Sequence, residues 1–127
     1  MILDRYDKQE SSNSVSKFIL KDNKIRSKKG LFLDRDGVLI EDVHHIKSPK
    51  QVKLTKDIGK FLKEAKTKGY EIIVVTNQSS VSRSIITFEE YKDITEKFLS
   101  LIPYDAYPNL ILSSFHLPKN ETFHFPN

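Results

Sequence analysis

The sequence of 127 residues contains no cysteine. This absence excludes disulfide bonds, a thiolate nucleophile and any zinc site that uses cysteine ligands. No apolar run approaches the roughly 20 residues needed to cross a bilayer, and the first residues lack the apolar segment of a signal peptide. There is no internal repeat. These absences favour one small domain, and we expect a cytoplasmic protein with no membrane partner.

Positive charge is concentrated at the start of the chain. Residues 1–30 contain eight Lys and Arg against four Asp and Glu, whereas the remainder contains thirteen of each. Residues 1–17 are polar and rich in Ser and Asn, and residues 21–30 are a charged connector, so we expect residues 1–30 to form a basic and largely flexible arm. The small apolar patch at residues 18–20 can dock on the domain. A basic arm can bind nucleic acid, but this one lacks interleaved aromatic residues and an Arg cluster. A solvated tail is therefore the favoured interpretation, and a nucleic-acid partner is not expected.

A strand–helix–strand unit is predicted after the arm. Residues 31–34 have the pattern of a buried strand, and the β-branched run 71–76 that of a strand buried on both faces and parallel to the first. Between them we predict a helix over residues 56–68, with Thr55 as its cap and Gly69 just beyond its end. Its buried side has apolar residues at helical spacing: Ile58, Phe61, Leu62 and Ala65.

A second helix and a third strand are predicted next. Thr87 and Glu90 form a capping box at the start of the helix, and Pro103 ends it. Residues 110–112 have the pattern of a short strand. The sequence therefore predicts an α/β fold over residues 31–127, with a Rossmann-like parallel sheet of about three strands and flanking helices.

Polar side chains follow both strands of the predicted βαβ unit. Asp34 and Asp36 end the first strand, and residues 76–79 end the second. In parallel sheets the carboxyl ends of neighbouring strands meet at one edge, where ligands bind. An Asp-x-Asp-Gly sequence alone is often only a turn, and Thr-Asn-Gln-Ser alone is often only a polar loop. Their joint occurrence at two strand ends favours a site.

These residue types suit phosphoryl transfer. Asp34 can attack phosphorus as a carboxylate nucleophile, and Asp36 can protonate the leaving oxygen and later deprotonate water. Mg²⁺ is the cation expected to hold the two carboxylates and a phosphate together. Thr76, with Asn77 and Ser79, can donate hydrogen bonds to the phosphoryl oxygens.

Substrate contacts are expected from two further places. Arg83 offers a guanidinium to a second anionic group. The irregular stretch 41–52 has the length of a functional loop and contains Asp42, Val43, His44 and His45. We interpret the two histidines as loop surface or substrate contacts, because no carboxylates lie at metal-ligand spacing from them.

The segments Phe32–Val38 and Val74–Ser79, with Arg83, resemble haloacid dehalogenase-like (HAD) phosphatases, in particular the heptose-bisphosphate and histidinol-phosphate phosphatase branch. The resemblance covers about residues 30–118. It implies a Mg²⁺-dependent, cytoplasmic sugar-phosphate phosphatase. By its pattern the nucleophile and metal ligand is Asp34. The acid/base is Asp36, which also binds metal through its backbone carbonyl, and the residue that stabilises the phosphoryl group is Thr76. The substrate-binding residues it implies are Arg35, Asp42, Val43, His44, His45, Asn77, Gln78, Ser79 and Arg83.

The sequence also departs from the resembled pattern. Ser114-Phe115-His116 stands where many of these proteins begin a zinc loop with cysteine, so zinc is not expected. The first two family motifs are present. The third, a Lys or Arg, and the fourth, a Gly-Asp pair, would follow beyond these residues. We therefore expect the N-terminal part of a HAD-like domain, with weak or no activity on its own and an exposed strand edge open to self-association. The alternative is a non-catalytic remnant or interaction module.

Overall fold

In a computed structural model of the chain, the structure describes residues 1–10, 15–22 and 29–115. It contains one mixed sheet of five strands in the order β1-β2-β5-β4-β3. The strands are β1 (Tyr6–Glu10), β2 (Val15–Leu20), β3 (Lys29–Asp34), β4 (Tyr70–Asn77) and β5 (Leu110–Ser114). The helices are α1 (Ile58–Thr67), α2 (Ser79–Ser82) and α3 (Phe88–Ser100). Short 3₁₀ turns occur at Ile2–Arg5, Pro49–Gln51 and Tyr104–Ala106.

The predicted α/β fold is confirmed, but the predicted number of strands is wrong. Strands β3, β4 and β5 are parallel to one another, as expected for a βαβαβ arrangement. Strands β1 and β2 are antiparallel additions beside β5. The sheet therefore has five strands instead of about three, and it is mixed instead of purely parallel.

The two additional strands come from the segment predicted to be a flexible arm. Within residues 1–30, the described residues 1–10 and 15–22 form a turn and a hairpin, so the prediction of flexibility is wrong for them. The carboxylate of Glu96 on α3 accepts hydrogen bonds from the amides of Ile2 (2.5 Å) and Leu3 (2.9 Å). The buried Tyr6 hydroxyl donates to the carbonyl of Pro108 at 2.7 Å. These long-range bonds attach the N-terminal segment to the domain.

The helices lie on one face of the sheet, which we call the covered face. On α3, Tyr91 shares a buried hydrogen bond with Ser113 of β5. On α1, Ala65 lies beside Leu31 of β3 at a surface pocket. The side chains that point to this face from β2, β4 and β5 are buried: Ser16, Phe18, Ile72, Val74, Thr76, Ile111 and Ser113.

The opposite face, which we call the open face, is less well covered by the described part of the chain. Its apolar side chains include Phe32 and Val75, which are 65% and 41% exposed. Ile73 and Leu112 are intermediate in exposure. The prediction that residues 71–76 are buried on both faces is therefore wrong. Strand β3 pairs only with β4 among the described residues, so one of its edges is unpaired there. Self-association through that edge stays a prediction.

Local helix signals were partly correct. Helix α1 begins after Asp57, whose side chain makes no capping bond, so the predicted cap at Thr55 is wrong. Its end at Thr67 and the positive φ of 89° at Gly69 agree with the predicted glycine stop. No helix among the described residues is long and apolar enough to span a membrane.

The predicted capping box of α3 is confirmed and gives a stability prediction. The Thr87 hydroxyl accepts from the Glu90 amide at 3.0 Å, and the Glu90 carboxylate accepts from the Thr87 amide at 2.8 Å. Thr87→Ala should lower the free energy of unfolding by about 1 kcal/mol, because an amide of the first turn loses its acceptor. Chemical denaturation measures this change. The control is Thr67→Ala, which removes only a donor to the Lys63 carbonyl at an exposed helix end. An equal loss in both variants would contradict the capping role.

Candidate active site

The carboxyl end of β3 continues into a tight turn that fixes the first motif. The carbonyl of Arg35 accepts hydrogen bonds from the amides of Leu39 and Ile40, both at 3.0 Å. The amide of Gly37 donates back to the Ile40 carbonyl at 2.9 Å. Gly37 has a φ of 84°, a left-handed conformation that glycine adopts without steric cost. The turn therefore places Asp34 and Asp36 at the end of the sheet.

The two carboxylates have different surroundings. The Asp34 carboxylate is exposed and makes no hydrogen bond or ion pair within the described part of the chain. Asp36 forms an ion pair with Arg35, with Nε 2.9 Å from Oδ1 and Nη2 3.3 Å from Oδ2. Asp36 Oδ2 also accepts from the amide nitrogen of Gln78 at 3.0 Å. Different surroundings suit different roles for two carboxylates at one site.

Arg35, one of the predicted substrate contacts, is buried and faces Asp36. It is only 3% exposed, and its guanidinium binds the Asp36 carboxylate. One of its nitrogens, Nη1, is buried and has no hydrogen-bond partner in the described part of the chain. Arg35 therefore acts on the site through Asp36 in this structure. Its role as a substrate contact stays a prediction.

The end of β4 brings two polar side chains to the covered face. Thr76 and Gln78 are both buried, and the Gln78 amide nitrogen donates to the Thr76 hydroxyl oxygen at 2.6 Å. Gln78 thus bridges Thr76 and Asp36, and its predicted contact with substrate stays a prediction. Asn77 alternates with these residues and is exposed on the open-face side. The Asn77 side chain therefore lies on the other side of the sheet from the Thr76 hydroxyl, and its contact with phosphate stays a prediction.

The loop after β3 contacts the start of α2. Nδ1 of His45 lies 3.1 Å from the Ser80 hydroxyl, and His45 has a positive φ of 52°. The rings of His44 and His45 lie 4.0 Å apart. The sequence placed His45 in the predicted substrate loop but did not point to Ser80, because a contact between this loop and α2 has no local signal.

The remaining predicted substrate residues belong to the loop that contains His45 and to the segment that contains Ser80. Asp42, His44 and Arg83 are exposed, and Val43 and Ser79 are partly buried. The Ser79 carbonyl accepts from the Arg83 amide at 2.9 Å, within the turn that ends α2. Their roles as substrate contacts stay predictions.

A buried polar pair lies beneath the site. The Tyr91 hydroxyl and the Ser113 hydroxyl are hydrogen-bonded. Burial raises the pKa of Tyr91, and the hydrogen bond with Ser113 acts in the opposite direction. Tyr91 therefore stays neutral, and it supports the covered face below Thr76.

The donor set fits one cation that is shared with a phosphate. Mg²⁺ is commonly bound through one or two carboxylates together with phosphate and water oxygens. The Asp34 carboxylate is exposed and has no partner among the described residues, whereas that of Asp36 already has donors. Within those residues, no group of three or more His, Asp or Glu side chains is arranged to hold a metal. An all-protein metal cage is therefore not formed by the described residues.

The arrangement of strands and turns defines a HAD-like fold. A HAD-like phosphatase from Mesorhizobium loti superposes with a TM-score of 0.78 at 20% identity, over 87% of this chain and 54% of that chain. A D,D-heptose 1,7-bisphosphate phosphatase from B. bronchiseptica, complexed with magnesium and phosphate, gives a TM-score of 0.66 at 23% identity, over 72% of this chain and 52% of that chain.

The sequence comparison identifies the family. The model of the polynucleotide kinase 3 phosphatase family matches residues 29–126, and the chain belongs to that family. A heptose-1,7-bisphosphate 7-phosphatase from Helicobacter pylori strain J99 is 36% identical over 72 residues, which are 57% of this chain and 41% of the relative. One from Photorhabdus laumondii is 31% identical over 96 residues, 76% of this chain and 49% of the relative. The chain therefore spans about half the length of these relatives.

Proposed function

We propose that the chain contributes to a Mg²⁺-dependent phosphatase that hydrolyses a phosphate monoester of a sugar phosphate similar to heptose bisphosphate. The single observation that carries the proposal is the bridge that Gln78 makes between Asp36 and Thr76 at neighbouring strand ends, with the exposed Asp34 at the last position of β3. Support for the substrate class comes from the names of the relatives that share the sequence.

In the proposed reaction, a carboxylate oxygen of Asp34 attacks phosphorus and the bond from phosphorus to the sugar oxygen breaks. Asp36, in its protonated form, gives a proton to the departing sugar oxygen. Water then attacks the aspartyl-phosphate, transfers a proton to Asp36 and releases inorganic phosphate. The Thr76 hydroxyl donates to a phosphoryl oxygen throughout. Asp34 and Asp36 would hold Mg²⁺, which neutralises phosphate charge when bound.

The activity test uses a substrate panel. Released phosphate is measured with the purified chain, D-glycero-D-manno-heptose 1,7-bisphosphate, another sugar phosphate and a 3′-phosphorylated oligonucleotide. We expect slow hydrolysis of the heptose bisphosphate with Mg²⁺, in agreement with the weak activity expected from the sequence. EDTA should abolish it by removing the metal, because two carboxylates cannot hold a phosphate dianion without a cation.

The panel also separates the alternatives. If the oligonucleotide is hydrolysed faster than the sugar phosphates, the proposed substrate class is wrong and the substrate is a nucleic-acid end. Absence of hydrolysis for every substrate, together with failure to bind beryllofluoride and Mg²⁺, would contradict the enzymatic proposal. It would favour the non-catalytic interaction module.

A further inference from the structure

Gln78 joins the two strand ends through hydrogen bonds of its side chain. Its amide nitrogen lies 2.6 Å from the Thr76 hydroxyl oxygen and 3.0 Å from Asp36 Oδ2. An amide nitrogen carries two hydrogens, so each of these contacts can use one of them. The side chain is 7% exposed, and its own backbone amide is fixed by the Ser114 carbonyl at 2.6 Å. Both ends of the residue are therefore held.

The direction of these hydrogen bonds follows from the chemistry of the partners. An ionised carboxylate only accepts hydrogen bonds, so the nitrogen of the Gln78 amide, and not its oxygen, must face Asp36. The same nitrogen has no acceptor capacity, so the Thr76 oxygen must accept from it. The single hydroxyl hydrogen of Thr76 is then left to point away from Gln78.

We propose that Gln78 is a positioning residue. Its side chain extends from the end of β4 and fixes the Asp36 carboxylate, which follows β3. It also orients the Thr76 hydroxyl so that the hydroxyl hydrogen can bond a phosphoryl oxygen. The inference rests on the proposed function in one respect, namely that the oxygen bound by Thr76 belongs to a phosphoryl group. The geometry itself is a property of this chain, and it assigns Gln78 a role beneath the substrate instead of against it.

The alternative is that Gln78 only fills space in a buried polar corner. The two possibilities differ in what happens when the polarity of the side chain is reversed at nearly constant shape. In Gln78→Glu the carboxylate would accept the Thr76 hydrogen and would repel Asp36. In Gln78→Met both hydrogen bonds are lost, while the length and most of the buried volume remain.

The kinetic test compares these variants with Gln9→Glu, the same change at an exposed position of β1. We measure kcat and KM for heptose bisphosphate with Mg²⁺, and the melting temperature of each variant. We expect Gln78→Glu to lower kcat by about 100-fold or more with little change in KM, the size of effect seen when one oriented donor is lost. Gln78→Met should be impaired less, because its Thr76 hydroxyl can still rotate towards phosphate.

The kinetic outcomes decide between positioning and space filling. A wild-type kcat in a folded Gln78→Glu variant would overturn the proposal. So would a loss of kcat in Gln78→Met that is fully explained by a lower melting temperature of that variant. If Gln78→Glu does not fold, Gln78→Met decides the question. A lower kcat with an unchanged KM in the folded variant would support positioning, and an unchanged kcat would overturn it. Gln9→Glu should match the wild type.

A second measurement is independent of turnover. The two side-chain amide protons of Gln78 are followed by ¹⁵N-edited NMR in the wild type, in Asp36→Ala and in Thr76→Val. We expect each substitution to shift a different proton, since each removes a different acceptor. Unchanged signals would overturn the inference even in an active enzyme. If the signals shift in a chain that has no phosphatase activity, the hydrogen bonds of Gln78 are confirmed and the proposed function is wrong.

Discussion

Asp34→Asn is expected to lower phosphatase activity by at least about 10³-fold, because a carboxamide cannot form the aspartyl-phosphate. The fold should be unaffected, since Asp34 is exposed and has no partner in the described part of the chain. Its unfolding free energy should stay within about 0.5 kcal/mol of the wild type. The measurement pairs steady-state release of phosphate with mass spectrometry of the acid-quenched protein, in which the wild type alone should carry a phosphoryl group.

The control is Asp7→Asn, which makes the same change at an exposed position of β1, outside the site. It should keep wild-type activity and still form the phosphoenzyme. Full turnover by Asp34→Asn, or a phosphoryl group on another residue of that variant, would show that the nucleophile lies elsewhere.

Phe98→Ala is expected to cause the largest loss of stability. Phe98 on α3 is 1% exposed and belongs to the core beneath the covered face. Removing a buried aromatic ring costs about 3–5 kcal/mol, from lost transfer energy and from the cavity left behind. A loss of this size should lower the melting temperature by roughly 10–20 °C in a domain of this length. Urea unfolding followed by circular dichroism gives the free energy directly.

Phe32→Ala is the matched control on the open face. The same ring is removed at a residue that is 65% exposed, so the expected loss is below about 1 kcal/mol. The two variants therefore separate the contributions of the two faces of the sheet. A loss at Phe32 as large as that at Phe98 would mean that the open face is covered in solution.

The sequence was sufficient for the elements whose signals are local. The capping box of α3 and the glycine in the turn after β3 act within a few residues, and both are found where expected. The apolar spacing of α1 correctly predicted the burial of Leu62 and Ala65, but the predicted burial of Phe61 is wrong, because its side chain is 45% exposed at the surface. The meeting of the two strand ends also followed from the sequence, because parallel strands joined by one helix must end at the same edge of the sheet.

The N-terminal hairpin could not be predicted in the same way. Strand β1 has one buried residue followed by four exposed ones, so it carries no alternating pattern. The N-terminal segment is held by partners far along the chain. Strand β2 pairs with β5, and the carboxylate of Glu96 binds the amides of Ile2 and Leu3. Polar composition alone therefore led to the wrong prediction of a flexible arm.

The positions of the candidate site residues were easier to predict than their hydrogen-bond partners. The placement of Asp36 and Thr76 near the strand ends followed from the sequence, whereas the partners of Arg35 and Gln78 depend on tertiary packing. One signal was available for Gln78. Thr76 and Gln78 are two residues apart at the end of a strand, and such residues share a face. Asn77 between them must then point the other way, as it does.

The position of β3 at the edge of the described sheet has a consequence for local unfolding. In a parallel pair, alternate residues direct their N–H and C=O groups to the same neighbour, so half of the backbone groups of β3 have no strand partner in the described chain. Edge strands held on one side open at lower free energy than central strands. A fluctuation that detaches β3 would carry Asp34 away while β4 and β5 remain paired. The proposed nucleophile is thus carried by an edge strand of the described sheet, and the integrity of the site depends on how well that edge is held.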